Sequence, residues 1–423
     1  MFKPKDEVME FLDMLCRHNR GCSEKDKYGI IFAGFKYTYE EVREGITAGT
    51  EPHLAERLYG QIEVLCEASK AANPPPRYRW GGGKMIKEGK ALLKGAIVKT
   101  VSKEMDVFYN PVMKFNRDIS ILVLNSISKN KMTIADPLAG SGVRSIRFLL
   151  ELGKNKIKTI SINDYSDKSI KSIKNNLKLN KINKKIKISN QDANLFLLNS
   201  EGFDYIDIDP FGTPNPFLDS AVRRISRGGV LAVTATDTSA LSGTYPKACL
   251  RKYWAIPLRN ELMHEVGLRI LIRKCQLIGA QYGKALVPIF SYSKDHYMRV
   301  FFRCDKGKEE VDEVLKQHGY FDNAGPMWLG KLWDGKLVEK MVRNNKVEEN
   351  EKILNVIKEE AKIDTIGFYD LHKLGERYKI SIPRKGELIK KLRKLGYKAS
   401  ETSFSGTSIR SNVELKKLLG LIR

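Results

Sequence analysis

Nowhere do the 423 residues offer the ~20 consecutive apolar positions that a membrane-spanning helix needs. The N-terminal MFKPKDEVME is charged where a secretion signal has its apolar core. Cysteine is scarce: there are six, none in a C-x-x-C pair, which reads as reduced thiols in a cytoplasm. Cys16, His18, Cys22, His53 and Cys66 match no zinc-ligand spacing and read as buried thiols and ordinary histidines. Acidic residues are also in short supply, 50 against 74 Lys and Arg, for a net charge of +24. Such an excess points to a polyanionic partner. It is unevenly spread: residues 1–84 carry 13 basic and 13 acidic side chains, so the whole excess lies after residue 84.

The composition, 42% hydrophobic and 29% charged, is that of a globular protein long enough for two or three domains. Residues 4–17 and 53–71 have helical periodicity, and 28–38 alternate like a strand. Then comes ANPPPRYRWGGG (72–83), a linker by its prolines and glycines. Met85 behind it would itself serve as a start, so residues 1–84 read as an appended module without an assignable function.

Beyond the linker, 85–105 reads as a β-rich lead-in and 112–128 as a helix bearing Arg117, which could hold a carboxylate bidentately. Strand-like runs at 132–135, 159–162, 186–190, 203–208 and 229–236 alternate with helical segments, which predicts a parallel, doubly wound α/β sheet. Ligands bind such sheets at the carboxyl ends of the strands. The first strand runs into DPLAGSGVRSIRF (136–148), a glycine turn opening a helix. Ser145 stands where a dinucleotide fingerprint has its last glycine. Asp136 would repel a pyrophosphate but suits the ammonium group of an amino acid, which favours S-adenosylmethionine over NAD. Asp164 ends the second strand, where an acid binds ribose, and Asp192–Ala193 follow the third, where an adenine ring is expected.

The fourth strand ends in Asp209-Pro210-Phe211-Gly212. Proline forces the chain out of the sheet, leaving an acid, a rigid carbonyl and an aromatic ring at a strand end. Asp209 and the Pro210 carbonyl can accept from the two N–H bonds of an exocyclic amine, whose lone pair is otherwise delocalised into its base, and Phe211 can stack on that base. The same four residues would also serve as a plain strand-end turn.

Several blocks resemble the tRNA guanine-26 N2-dimethyltransferases, the archaeal branch most closely. They are VFYNPVMKFNRD (107–118), DPLAGSGVRSIRF (136–148), IDIDPFGTPNPFLDSA (206–221), TATDTSALSGTYPKACLRKY (234–253), HEVGLRIL (264–271), YSKDHYMRVF (292–301), GPMWLGKL (325–332) and FSGTSIR (404–410). The resemblance runs from residue 85 to about 420. It implies a Rossmann-like class I methyltransferase domain over 85–304 and a C-terminal tRNA-binding domain over 305–423. It also implies two methyl transfers from S-adenosylmethionine to N2 of one guanine. By motif, Arg117, Asp136, Gly140, Gly142, Arg144, Asp164, Asp192 and Ala193 would hold the cofactor. Asp209 and Pro210 would engage the amine, and Phe108 and Phe211 would clamp the extruded base. Some relatives carry a four-cysteine zinc site; Cys249, Cys275 and Cys304 are too dispersed for one, so no metal is expected. The partner implied is tRNA, with neither membrane nor DNA, and nothing identifies a protein partner.

In the C-terminal part, 337–361 reads as one charged helix, 369–378 and 384–395 as two shorter ones, and 397–409 as a hairpin, a winged-helix-like α+β order. Arg384, Lys385, Lys390, Lys391, Arg393 and Lys394 make the second short helix basic, which suits phosphate contacts. Arg251, Lys252 and Arg259 could line an RNA entrance or simply solvate a loop. His264 and Glu265, adjacent on a helix, share no face and read as structural. From the residues alone, an amino-methyltransferase acting on rRNA guanine or a DNA base, and a non-catalytic RNA-binding protein, stay open.

Overall fold

The structure, a computed structural model, describes residues 28–32, 35–38, 63–66, 85–94, 109–182 and 186–422. The chain divides into two compact units, Met1–Gly82 and Gly83–Arg423. In the first, β1 (Tyr28–Phe32), β2 (Phe35–Thr38) and β3 (Glu63–Cys66) form an antiparallel sheet in the order β2-β1-β3. The segment read as one strand is therefore a hairpin. Residues 63–66 lie in the segment read as a helix, but here pairing with β1, Ile30 opposite Val64, overrides a weak helical preference.

The second unit opens with the hairpin β4 (Met85–Glu88) and β5 (Ala91–Lys94). Its strands are capped sideways by asparagines rather than by another strand. The Leu92 and Lys94 amides donate to Asn180 Oδ1 (2.8 Å) and Asn176 Oδ1 (2.9 Å), and Asn180 Nδ2 returns a bond to the Leu92 carbonyl (2.6 Å). That satisfies backbone groups on the free edge of β5 that would otherwise lack a partner in the protein.

The central sheet has seven strands: β6 (Met132–Asp136), β7 (Ile157–Asn163), β8 (Ile186–Ser189), β9 (Phe203–Ile208), β10 (Ile225–Ala235), β11 (Lys284–Lys294) and β12 (Tyr297–Lys306). Their order is β11-β12-β10-β9-β6-β7-β8; β6 to β10 run parallel, and β11 and β12 are antiparallel additions. Ile206, Ile208, Leu231 and Val233 are wholly buried, as expected of parallel strands covered on both faces. The covering helices include α1 (Lys114–Ser126), α2 (Val143–Glu151), α3 (Asp167–Leu179), α4 (Ala193–Leu198) and α5 (Asn215–Arg224). After β10 come α6 (Thr238–Leu241), α7 (Pro246–Tyr253) and the long α8 (Met263–Ala280). Because β6 pairs with β7 on one side and β9 on the other, the strand order reverses there. That opens the crevice where such sheets bind ligands.

Beyond the sheet lie α9 (Lys308–Leu315), the hairpin β13 (His318–Phe321) and β14 (Ala324–Trp328), α10 (Gly335–Asn344) and α11 (Glu348–Glu360). The single helix read over 337–361 is thus two. Asn345 turns extended, accepts from the Val347 amide (3.2 Å) and donates to the Val347 carbonyl (2.9 Å). An asparagine that satisfies the backbone locally competes with helix continuation. The remaining elements are β15 (Tyr369–Asp370), α12 (Leu371–Tyr378), α13 (Lys385–Lys394), the hairpin β16 (Ala399–Thr402) and β17 (Ser405–Ser411), and α14 (Leu415–Ile422).

The apolar cores separate later than residue 305. The main cluster reaches Leu354 and Ile357, and a second one holds Leu371, Leu374, Leu388, Leu392, Ile409 and Leu418. Buried charges join them. Arg410 of β17 donates to Glu360 Oε1 (2.8 Å) and to Glu265 Oε2 of α8 (2.7 Å), and Arg269 pairs with Glu265 from one turn on (2.9 Å). Burial alone would raise the Glu265 carboxyl, but Arg410 and Arg269 outweigh it and hold it down to about 2, against an ordinary 4.5. A carboxylate depressed on folding stabilises fully above its unfolded pKa and loses that contribution as pH falls through the folded one. Acid unfolding should therefore lose about 3 kcal/mol from this joint between pH 4.5 and 2. Glu265→Gln should flatten that part of a stability-against-pH curve; an unchanged curve would place the acid sensitivity elsewhere.

Candidate active site

Four loops converge at the carboxyl ends of β6, β7, β8 and β9. After β6 the chain turns through Gly140 and Gly142, both with positive φ, before α2 begins. At Gly142 (φ 77°) a Cβ would meet the Ile173 side chain of α3 at 3.0 Å, so packing as well as backbone conformation demands glycine. Asp164 accepts from the Gly140 amide (2.8 Å) and the Ser166 amide (2.9 Å). Asn163 is a hub. It donates to the carbonyls of Pro137 (3.1 Å) and Gln191 (2.9 Å), and its Oδ1 accepts from the Gln191 amide (3.2 Å). One buried side chain thereby ties together the loops after β6, β7 and β8. Asp192 caps α4, accepting from the Asn194 (2.8 Å) and Leu195 (3.1 Å) amides, with Ala193 opening the helix behind it.

Asp136, at the end of β6, is buried and accepts from Ser145 Oγ at 2.6 Å. Burial pushes its carboxyl up to about 7, against the pull of Arg144 and Ser145. Such a group is poised to become fully charged when a cation arrives beside it.

Asp209 emerges from β9 and pairs with Arg144 of α2. Arg144 also reaches Asp207 Oδ2 (3.2 Å), Asn116 Oδ1 (2.9 Å) and Ser120 Oγ (3.0 Å). Behind it, Arg299 of β12 grips Asp207 through two nitrogens (2.8 and 2.7 Å), and the Tyr205 hydroxyl donates to Asp207 (2.6 Å). Alternation along β9 would send Asp207 and Asp209 to one face, and both do meet the same guanidinium. Pro210 is buried, while the Phe211 ring is 44% exposed. Gly212 (φ 79°) turns the chain, its amide donating to Thr236 Oγ1 (2.6 Å) and its carbonyl accepting from the Thr236 amide (2.9 Å).

Arg117, expected to face the cofactor, is engaged bidentately by a carboxylate of the protein, that of Glu88 on β4 (2.6 and 2.5 Å), and it also donates to the Asn110 carbonyl (2.9 Å). Arg147 reaches the same carboxylate (3.0 Å), and Tyr109 donates to it (3.0 Å). Glu88 escaped the sequence reading. The available signal was its phase: it lies two residues after buried Ile86, on the same face of a short strand. Arg299 and Asn163 also escaped it, because each acts through residues distant in sequence. Phe108 lies outside the described residues. Among the described residues no three His, Cys, Asp or Glu side chains gather as a metal site. Cys249, Cys275 and Cys304 are buried free thiols; burial pushes them up to about 12, 12 and 11 respectively.

A glycine turn, strand-end acids and Asp-Pro-Phe stand around one crevice. The family model for N2,N2-dimethylguanosine tRNA methyltransferase matches residues 87–323 and 320–423. The chain belongs to that family. It is 40% identical over 376 residues to the Aquifex aeolicus tRNA (guanine(26)-N(2)/guanine(27)-N(2))-dimethyltransferase, covering 79% of this chain and 94% of that protein. It is 38% identical to the Methanocaldococcus jannaschii tRNA (guanine(26)-N(2))-dimethyltransferase, covering 80% and 98%. Among solved structures it is similar to Pyrococcus horikoshii Trm1 in complex with S-adenosyl-L-methionine, with a TM-score of 0.73 and 37% identity over 80% of this chain and all of that one. The family model begins at residue 87, so membership is carried by the second compact unit. The family blocks occupy the strand ends and α8, and the last of them, 404–410, supplies Arg410 to the joint between the two cores.

Proposed function

We propose that this protein transfers two methyl groups, one after the other, from S-adenosylmethionine to the exocyclic N2 of guanine 26 in tRNA. The observation that carries this is Asp209 at the end of β9, paired with Arg144 of α2, the helix opened by the glycine turn whose Gly140 amide Asp164 holds. S-adenosylmethionine, when bound, supplies an electrophilic methyl group on a sulfonium centre. The residues present suit it. Asp136 is a buried carboxyl ready to meet an ammonium group, Asp164 and Asp192 are strand-end acids, and the turn after Asp136 carries two positive-φ glycines, Gly140 and Gly142. By motif Arg117 and Arg144 would face the cofactor's carboxylate, Arg117 while anchored to Glu88 and Arg144 while paired with Asp207 and Asp209.

The protein's own part is to make a poor nucleophile competent. In the first transfer Asp209 accepts a hydrogen bond from one N2–H and the Pro210 carbonyl from the other; in the second, the single remaining N–H points to Asp209. As the new N–C bond forms, positive charge gathers on nitrogen, and both acceptors strengthen in proportion. The proton that N2 must lose leaves along the Asp209 hydrogen bond. Phe211, and Phe108 by motif, sandwich the base once it has left the helical stack. Asn163 positions the cofactor loops without touching the reacting atoms. Asn163→Ala should weaken cofactor binding by roughly 10-fold, the loss of hydrogen bonds worth about 1 kcal/mol each, with little change in turnover at saturation. Equilibrium dialysis against the wild type reads this directly.

Residues 85–304 would carry the chemistry and 305–423 would hold the RNA. Of the six cations of α13 and its start, Lys385 donates to the Gly406 carbonyl, Lys391 to the Leu421 carbonyl and Arg393 to the Ala399 carbonyl, so part of that charge also braces the fold. The net charge of +24 supports an RNA partner, and the buried free thiols suit the cytoplasm. Incubating unmodified tRNA with protein and methyl-labelled cofactor, then analysing nucleosides by mass, should give N2-methylguanosine followed by N2,N2-dimethylguanosine at position 26. Label confined to adenosine, or to a ring nitrogen, would overturn the reading. Label at position 27 as well would match the double specificity in the name of the Aquifex relative.

A further inference from the structure

Four large apolar side chains stand on the surface beside the active-site loop: Leu250 (55% exposed), Trp254 (48%), Ile256 (51%) and Tyr320 (65%). They form one patch. Leu250 lies on the last turn of α7, and its carbonyl accepts from the Trp254 amide (3.0 Å) as the chain leaves the helix. Ile256 bridges to Gly325 through two backbone hydrogen bonds (2.7 and 2.8 Å), and the Tyr320 ring lies against Gly325. Arg273 links the parts: it donates to the Trp254 carbonyl (3.4 Å), and its charge lies close to Tyr320.

Trp254 is held on display. Its backbone is left-handed (φ 58°, ψ 40°), an outlier for a bulky side chain, and outliers of this kind collect at binding sites. The ammonium of Lys274 sits 3.0 Å from the ring centroid, fixing the indole from one side. Just before it, α7 is bolted to the active-site loop. Asn215 Nδ2 donates to the Lys252 carbonyl (2.8 Å), and the Tyr253 hydroxyl contacts Thr213 Oγ1 (3.1 Å) and Asp237 Oδ1 (2.6 Å). Thr213 is four residues from Asp209, at most about 14 Å of chain. Lys247, Arg251 and Arg259 are exposed around the patch.

We propose that Trp254, with Leu250, Ile256 and Tyr320, is a stacking platform for unpaired nucleotides of the RNA beside the extruded guanine. This rests on the proposed tRNA activity. Flat aromatic and apolar side chains ringed by cations suit the faces of bases and their phosphates. The patch is continuous, through α7, with the loop that carries Asp209. A base taken out of a helix leaves neighbours unstacked, and a surface of this kind replaces what they lose.

The test uses the full chain and tRNA in three variants, Trp254→Ala, Trp254→Phe and Tyr320→Ala. Trp254→Ala should weaken tRNA binding 10-fold to 100-fold and raise KM for tRNA alike, with cofactor affinity unchanged. Trp254→Phe should stay within about three-fold of wild type, since a π-face remains, and Tyr320→Ala should fall between. The fluorescence difference between wild type and Trp254→Phe should lose its iodide quenching when tRNA binds. Unchanged tRNA affinity in Trp254→Ala, or an indole that iodide still reaches in the complex, would overturn the platform. So would a fall in oligomeric mass in Trp254→Ala with tRNA affinity intact, which would make the patch a contact between copies. Should wild type protect Trp254 with tRNA yet transfer no methyl group, the activity reading fails and the platform stands.

Discussion

Asp209→Ala lowers methyl transfer by about 10³-fold or more while cofactor affinity stays within a few-fold of wild type. Removing one oriented group that meets charge as it develops costs about 10²–10³ in turnover, and losing a proton acceptor costs a comparable factor. Here both losses fall on one carboxylate. The fold should tolerate the change, because Arg144 keeps Asp207, Asn116 and Ser120 as partners. Asp209→Asn should be as inactive: an amide turns an N–H toward the amine that must itself donate. Single-turnover assays with saturating cofactor, beside cofactor titrations, separate the two quantities. A variant that binds cofactor poorly but turns over normally once saturated would make Asp209 a cofactor ligand rather than the acceptor for N2.

The second large effect is on stability and lies one layer deeper. Asp207→Asn should cost about 3–5 kcal/mol and lower the melting temperature by roughly 10 °C. Asp207 is buried and receives two nitrogens of Arg299, the Tyr205 hydroxyl and the side of Arg144. Burial would raise its carboxyl, yet Arg144 and Arg299 hold it below its ordinary value. Among the described residues Asp207 is the carboxylate that Arg299 pairs with, and a wholly buried cation that loses its partner is the costly outcome. Activity should fall too, because Arg144 would then draw more tightly onto Asp209 and compete with the amine. Replacing both members, Asp207→Leu with Arg299→Met, should destabilise less than Asp207→Asn, since a pair removed whole leaves no orphan. Equal losses in the single and double variants, measured by urea unfolding, would mean the pair matters through packing alone.

Much of this architecture was legible in the chain. The strand and turn pattern from 132 to 236 gave the parallel sheet, because buried parallel strands read as apolar runs broken by ligand-type turns. The loops at Gly140, Asp164, Asp192 and Asp209 were legible because each stands at its own strand end. What stayed hidden was long-range. Glu88 meets Arg117 and Arg147 across 29 and 59 residues, and Arg299 meets Asp207 across 92; no local periodicity encodes such pairs. The break at Asn345 hid inside a charged helical pattern, because one asparagine's side-chain hydrogen bonds decide it. The reach of the main apolar cluster to Leu354 and Ile357 was not legible either, since the antiparallel strands β11 and β12 carry it on into the helices behind them. Glu265 read as structural, and its partner in the other core, Arg410, says why.

The most direct measurement of the central claim is methyl transfer to a tRNA transcript carrying inosine in place of guanine 26. Inosine keeps the purine face and the ring nitrogens but has no exocyclic amine. The account predicts that this transcript binds, competes with normal tRNA and accepts no methyl group at position 26. Methylation of the inosine itself would contradict it, because the group that Asp209 and the Pro210 carbonyl are set to receive would then be dispensable.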